Sequence, residues 1–243
     1  MFSINRICDC CIDLVEQDLA PGSGVASDYL MRGRAFVAQH ELEKGIASFD
    51  AALSIDPSLS AAYDARSDAY AREGRFDLAL IDIGKAINLR PYDATLLYNR
   101  GNIFLQQQQF PAAVRDYTRA IELKPDFALS YMNRGISLGN LGDMIHSLAD
   151  LDRAVQLAPT NPDVYYNRGI AHAEARDFDK AVQDYNEALS YRPSNARLYS
   201  YRGYAYRQLG DLEAATRDFK RALELDASDQ QSRNQLRDMG VER

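Results

Sequence analysis

Tyr98-Asn99-Arg100-Gly101, continued by Phe104, Ala113, Tyr117, Ala120 and Pro125, decides the fold, because the same spacing recurs along the chain. Steps of 34 residues from Gly101 reach Gly33, Ser67, Gly135, Gly169 and Gly203 without a slip, so no insertion interrupts the register. Three residues after each of these six stand Phe36, Tyr70, Phe104, Leu138, His172 and Tyr206. Twelve residues after them come Gly45, Ala79, Ala113, Ser147, Ala181 and Ala215. Sixteen after come Phe49, Ile83, Tyr117, Leu151, Tyr185 and Phe219. Nineteen after, every unit has alanine: Ala52, Ala86, Ala120, Ala154, Ala188 and Ala222. Pro57, Pro91, Pro125, Pro159 and Pro193 keep the same step, with Ala227 in the sixth place.

A fixed period of this length marks a stack of like supersecondary units. In the first helix of a unit, Tyr29, Gly33 and Phe36 are spaced by four and three and share one helical face. Small residues let two antiparallel helices approach closely, and the aromatic side chains fill the space beside them. Proline cannot extend a helix and turns the residue before it away from helical conformation, so it separates units. Asp56 and Ser58, Lys124 and Asp126, and Thr160 and Asn161 surround it with turn and capping residues.

This period and pattern resemble the tetratricopeptide repeat family from about Val25 to Gln230. The resemblance implies an all-α fold: a right-handed α-solenoid of six helix-turn-helix units with a C-terminal capping helix. The six units are expected at 26–59, 60–93, 94–127, 128–161, 162–195 and 196–229. Residues 1–25 form an extension in which Ile7, Cys11, Leu14 and Val15, at helical spacing, suggest a short cap before a flexible joint at 20–24. Residues 230–243 hold the last helix and tail; Leu236 and Met239, three apart, would cover the final apolar face. Ser67 departs from the glycine of the pattern and is expected to loosen packing in the second unit.

Composition narrows the function. With 46% hydrophobic and 26% charged residues in 243, the chain can bury a core and is not a disordered polymer. A formal net charge of −7 argues against nucleic acid, whose phosphates need a basic footprint. No stretch reaches the apolar length of a membrane span. Cys8, Cys10 and Cys11 crowd together at one end, which suits a reducing compartment and a cytoplasmic protein better than a disulfide framework. The cluster reads as incidental thiols rather than as a metal or lipid site, since further ligands are not evident. His40, His146 and His172 fall at different repeat positions, and no nucleophile sits with an adjacent base. An enzyme, a metal and a cofactor are therefore not expected.

The residue before each repeat glycine is Arg32, Arg66, Arg100, Arg134, Arg168 or Arg202. Sixteen residues further on stand Asp82, Asp116, Asp150, Asp184 and Asp218, and only the first unit breaks the pattern, with Ser48. Because the two residues track each other, they read as an Arg–Asp staple between the helices of a unit rather than as a basic stripe for acidic ligands.

The family resemblance places the first helix of each unit on a concave side. There Asn99, Asn133 and Asn167, each just before an arginine, point away from the core in three consecutive units. An amide both donates and accepts, so such a row could grip a peptide backbone of any sequence. It looks like the asparagine ladder of the nucleocytoplasmic O-linked N-acetylglucosamine transferase, though a common consensus choice of Asn is an equal alternative. Tyr98, Met132, Ile136, Tyr166 and Ile170 add apolar area, and Asn102 flanks them. The carboxylate clamp of chaperone co-factors does not match: of Tyr98, Asn102, Asn133, Asp163 and Asn167, two supply the asparagines and none a required cation. The expected function is a non-enzymatic adaptor that holds an extended peptide or helix of a partner protein in this groove. The alternative is an oligomerisation or assembly scaffold acting through its ends or convex face, and self-association stays open.

Overall fold

A computed structural model describes residues 25–241, and among these it contains thirteen helices and no strand. The extension with its three cysteines, the expected N-terminal cap and the joint before Val25 lie outside the described residues. The chain forms two compact units. The first, up to Lys124, holds three helical hairpins: α1 (Ala26–Ala38) with α2 (Leu42–Ile55), α3 (Ser60–Arg72) with α4 (Phe76–Leu89), and α5 (Ala94–Gln106) with α6 (Phe110–Leu123). The second, from Pro125, holds α7 (Ala128–Asn140) with α8 (Met144–Leu157), α9 (Pro162–Glu174) with α10 (Phe178–Tyr191), and α11 (Ala196–Leu209) with α12 (Leu212–Leu225), followed by α13 (Gln230–Asp238). Within each unit, successive hairpins pack on one another. No described helix is long and apolar enough to cross a membrane.

The periodic residues form the core. Phe49, Ile83, Tyr117, Tyr185 and Phe219 are completely buried, as are the six alanines three residues after each sixteenth position. The repeat glycine exists to admit the large ring of the second helix. A Cβ on Gly101 or Gly169 would lie 2.6 Å from the ring of Tyr117 or Tyr185, a distance real side chains do not tolerate. Ser67 shows the converse. Its partner is the slimmer Ile83, and its hydroxyl donates to the Ala79 carbonyl at 2.8 Å, joining α3 to α4 in a fully enclosed site.

The turn inside each hairpin has its own period, which hydrophobic patterning does not reveal. Positions 40, 74, 108, 142, 176 and 210 all adopt positive φ, between 58° and 83°. This left-handed residue ends the first helix by pairing the backbone N–H of Glu41 with the Phe36 carbonyl and that of His40 with Val37, and the arrangement repeats in later turns. Gly74, Gly142 and Gly210 adopt it freely; His40, Gln108 and Arg176 do so against side-chain sterics.

The Arg–Asp staples form in five hairpins. Arg100 Nε and Nη2 donate to the two oxygens of Asp116, each at 2.7 Å, and Arg66, Arg134, Arg168 and Arg202 grip Asp82, Asp150, Asp184 and Asp218 in the same bidentate way. Hydrogen bonds to Asp116 and Asp150 hold the Arg100 and Arg134 guanidiniums above their ordinary range, against the effect of burial. Three arginines also reach back sixteen residues to the preceding hairpin: Arg66 to Asp50, Arg168 to Asp152 at 2.8 Å and Arg202 to Asn186 at 2.6 Å. One side chain thus ties its own hairpin together and fastens it to the previous one.

At the far end α13 covers the last hairpin. Leu236 is completely buried against Ala215 and Phe219, with Tyr204, Tyr206, Leu223 and Met239 around it. Ser232 donates its hydroxyl to that of Ser200 on α11 at 3.0 Å inside the same contact.

Candidate functional site

The candidate groove residues stand on the first helices of their hairpins, and the two compact units each carry part of the set. In the first unit Tyr98, Asn99 and Asn102 lie on α5, all half-buried. A recess of ≈ 480 Å³ opens among α1, α3 and α5, lined by Arg34, Asp64, Asp68, Arg72, Asn99, Asn102 and Gln106 over the apolar Val37, Ala71 and Ile103. Asn99 Nδ2 donates to Asp64 Oδ1 at 2.9 Å across the hairpin boundary. Burial pushes the Asp64 carboxyl above the usual range, Asn99 opposes this, and the neighbouring Asp68 adds to the rise. Asn102 accepts from the Tyr117 hydroxyl at 2.8 Å, while the Tyr98 ring lies 5.9 Å from that of Tyr117. Polar groups here face both a recess and the core, and they already hold partners.

In the second unit Met132, Asn133 and Ile136 lie on α7 and Tyr166, Asn167 and Ile170 on α9. All are half-buried except Asn133, which is buried at 9% exposure instead of facing away from the core. Asn167 Nδ2 donates to the Asp163 carbonyl of its own helix at 2.7 Å and touches Met132 Sδ at 3.6 Å. Tyr166 meets Tyr201 of α11 edge to face at 5.5 Å, and burial, reinforced by Tyr201, raises its phenol well above the ordinary value. Asp163 is gripped by two nitrogens of Arg192 at 2.5 and 3.0 Å. Asn99 is bonded to the neighbouring hairpin and Asn167 to its own backbone, and Asn133 is enclosed.

One departure between repeats concerns a buried polar group. Tyr117 and Tyr185 occupy equivalent sites, both completely buried. Tyr117 has Asn102 as acceptor, but Ile170 stands at the place equivalent to Asn102, and the Tyr185 hydroxyl has no hydrogen-bond partner among the described residues. His172, at the aromatic position of its repeat, is also packed: burial pushes its imidazole below the ordinary value, with Asp184, 3.9 Å away, opposing the shift. Among the described residues there is no group of three side chains that could hold a metal ion.

Sequence profiles described as tetratricopeptide repeat match residues 30–94, 128–161, 151–183 and 168–239, and one described as TPR repeat matches 101–142. Curated proteins yield no match. Among solved structures, Pseudomonas aeruginosa pilF is 19% identical with a TM-score of 0.77, over 88% of this chain and 97% of that one. PilW, a widely conserved type IV pilus biogenesis factor, is 17% identical with a TM-score of 0.81, over 87% of this chain and 98% of that one. YrrB, a TPR protein with an unusual peptide-binding site, is 24% identical with a TM-score of 0.55, over 69% of this chain and 87% of that one. At these identities the likeness is one of fold.

Proposed function

We propose that this chain, which belongs to the tetratricopeptide repeat family, is a non-enzymatic cytoplasmic adaptor that holds an extended peptide or helix of a partner protein on the first-helix face of its hairpins. The observation that carries the proposal is a recess bordered by first helices and lined by polar side chains over apolar ones, with the core residues Phe49 and Ser67 at its floor. Such a surface combines apolar anchorage with donors and acceptors that orient a chain. The contact residues proposed are Tyr98, Asn99 and Asn102 in the first unit and Met132, Asn133, Ile136, Tyr166, Asn167 and Ile170 in the second. Asn99 and Asn102 would trade or share their present partners on binding, so affinity must exceed the cost of that exchange.

The test selects peptides from a display library on the wild-type chain and re-measures them on two variants. A variant joining Asn99→Ala and Gln106→Ala in the recess with Ile136→Glu and Ile170→Glu should abolish binding at unchanged helicity, and Ile145→Glu, on a side chain 82% exposed on α8, should leave it intact. Binding that survives the first variant and fails with the second would replace the groove reading. That result would favour an assembly scaffold, for which exposed apolar Ile81 on α4 and Ile145 on α8 offer contact points.

A further inference from the structure

Arg32 is the one member of the arginine series whose hairpin carries no aspartate sixteen residues later. In the other five repeats that aspartate receives the arginine's Nε and Nη2. Arg32 Nε is buried, yet it has no hydrogen-bond partner among the described residues. Ser48, in the aspartate's place, spends its hydroxyl on the Lys44 carbonyl of its own helix at 2.9 Å. A guanidinium cannot shed its charge to escape burial, so a buried N–H left open calls for an anion.

The surroundings supply the room and the charge. A cavity of ≈ 260 Å³ lies beside Arg32, bordered by Tyr29, Phe36, Lys44 and Ser48. The Arg32 guanidinium and the Lys44 ammonium each lie 5.5 Å from the centre of the Phe36 ring. Lys44 is paired with Glu41 at 2.5 Å, which leaves Arg32 as the cation with unmet demand. None of these residues belongs to the proposed groove.

We infer that the first repeat holds a carboxylate-binding site, in which an acidic group from outside the hairpin takes the place of the missing aspartate on Arg32 Nε and Nη2. Planar two-point pairing is how the same side chain is satisfied in the other repeats, so the ligand class is a carboxylate rather than a cation or an apolar chain. It comes from an acidic residue of a partner protein.

The test follows the Arg32 side-chain Nε–Hε signal by NMR during titration of the full chain with sodium acetate against sodium chloride of equal ionic strength. A saturable shift of the Arg32 signal, with that of Arg134 unmoved, supports the site and an external ligand. No saturable shift overturns the inference and leaves Arg32 merely hydrated. As an independent check, Ser48→Asp should restore the staple, raise Tm by a few degrees and abolish the acetate response; a lowered Tm would count against the site.

Discussion

Tyr117 and Tyr185 show how much one neighbouring side chain changes the value of a hydroxyl. Both are enclosed by the same packing, but only Tyr117 finds an acceptor, Asn102. Tyr117→Phe should therefore cost about 1 kcal/mol, the net worth of a buried hydrogen bond plus the amide left behind. Tyr185→Phe should be neutral or stabilising, since it removes a polar group whose burial is uncompensated. Urea denaturation of the two variants decides the point, and equal losses would contradict it. The aromatic and alanine core was legible in the sequence because each of those positions repeats. The missing acceptor of Tyr185 was legible too, once Ile170 is set against Asn102 at the same repeat position, but only after the structure shows that the two groups meet.

At the scale of the helical hairpin, the staples and the turns do different work. Arg134 and Asp150 join α7 to α8 with most of both side chains enclosed, at 20% and 10% exposure. A double-mutant cycle with Arg134→Met and Asp150→Asn should give a coupling of about 1–3 kcal/mol, above the ~0.2–1 kcal/mol of an exposed pair. A coupling near zero would mean the staple is ornamental. The turn positions make the opposite prediction. Gln108 sits at φ 58°, where a side chain is strained. Gln108→Gly should stabilise the hairpin by about 1 kcal/mol despite the greater freedom of glycine in the unfolded chain. The same exchange at Gly142, Gly142→Gln, should destabilise it by a similar amount, and thermal melts of both would check the sign.

Over the whole molecule, repeated hairpins create an end problem: each apolar face needs a neighbour, and the last one has none within the period. Residues 230–238 meet that need without belonging to the repeat, through Leu236 and the Ser232–Ser200 contact. Deleting the chain from Ser228 onward should lower stability by about 2 kcal/mol, roughly the burial of one leucine with its surrounding contacts. It should also make the α11–α12 hairpin the first to lose hydrogen-exchange protection. Uniform protection in the truncated chain would show that α13 is not a cap.

What the sequence by itself determined is whatever repeats: hairpins at a step of 34, the buried positions within them, and the pairing of an arginine with the aspartate sixteen residues on. Periodic identity constrains periodic contacts, because each unit meets the same surroundings. Contacts between unlike positions were decided by the tertiary structure alone. Asn99 bonds Asp64, thirty-five residues earlier, but the places equivalent to Asp64 hold Leu30, Tyr98, Met132, Tyr166 and Ser200, so no repeat pattern announces the bond. The grip of Arg192 on Asp163 and the burial of Asn133 belong to the same kind. A groove is lined by side chains that vary from unit to unit. Whether each is available to a ligand or held by the next hairpin depends on which unlike residue the packing brings opposite it.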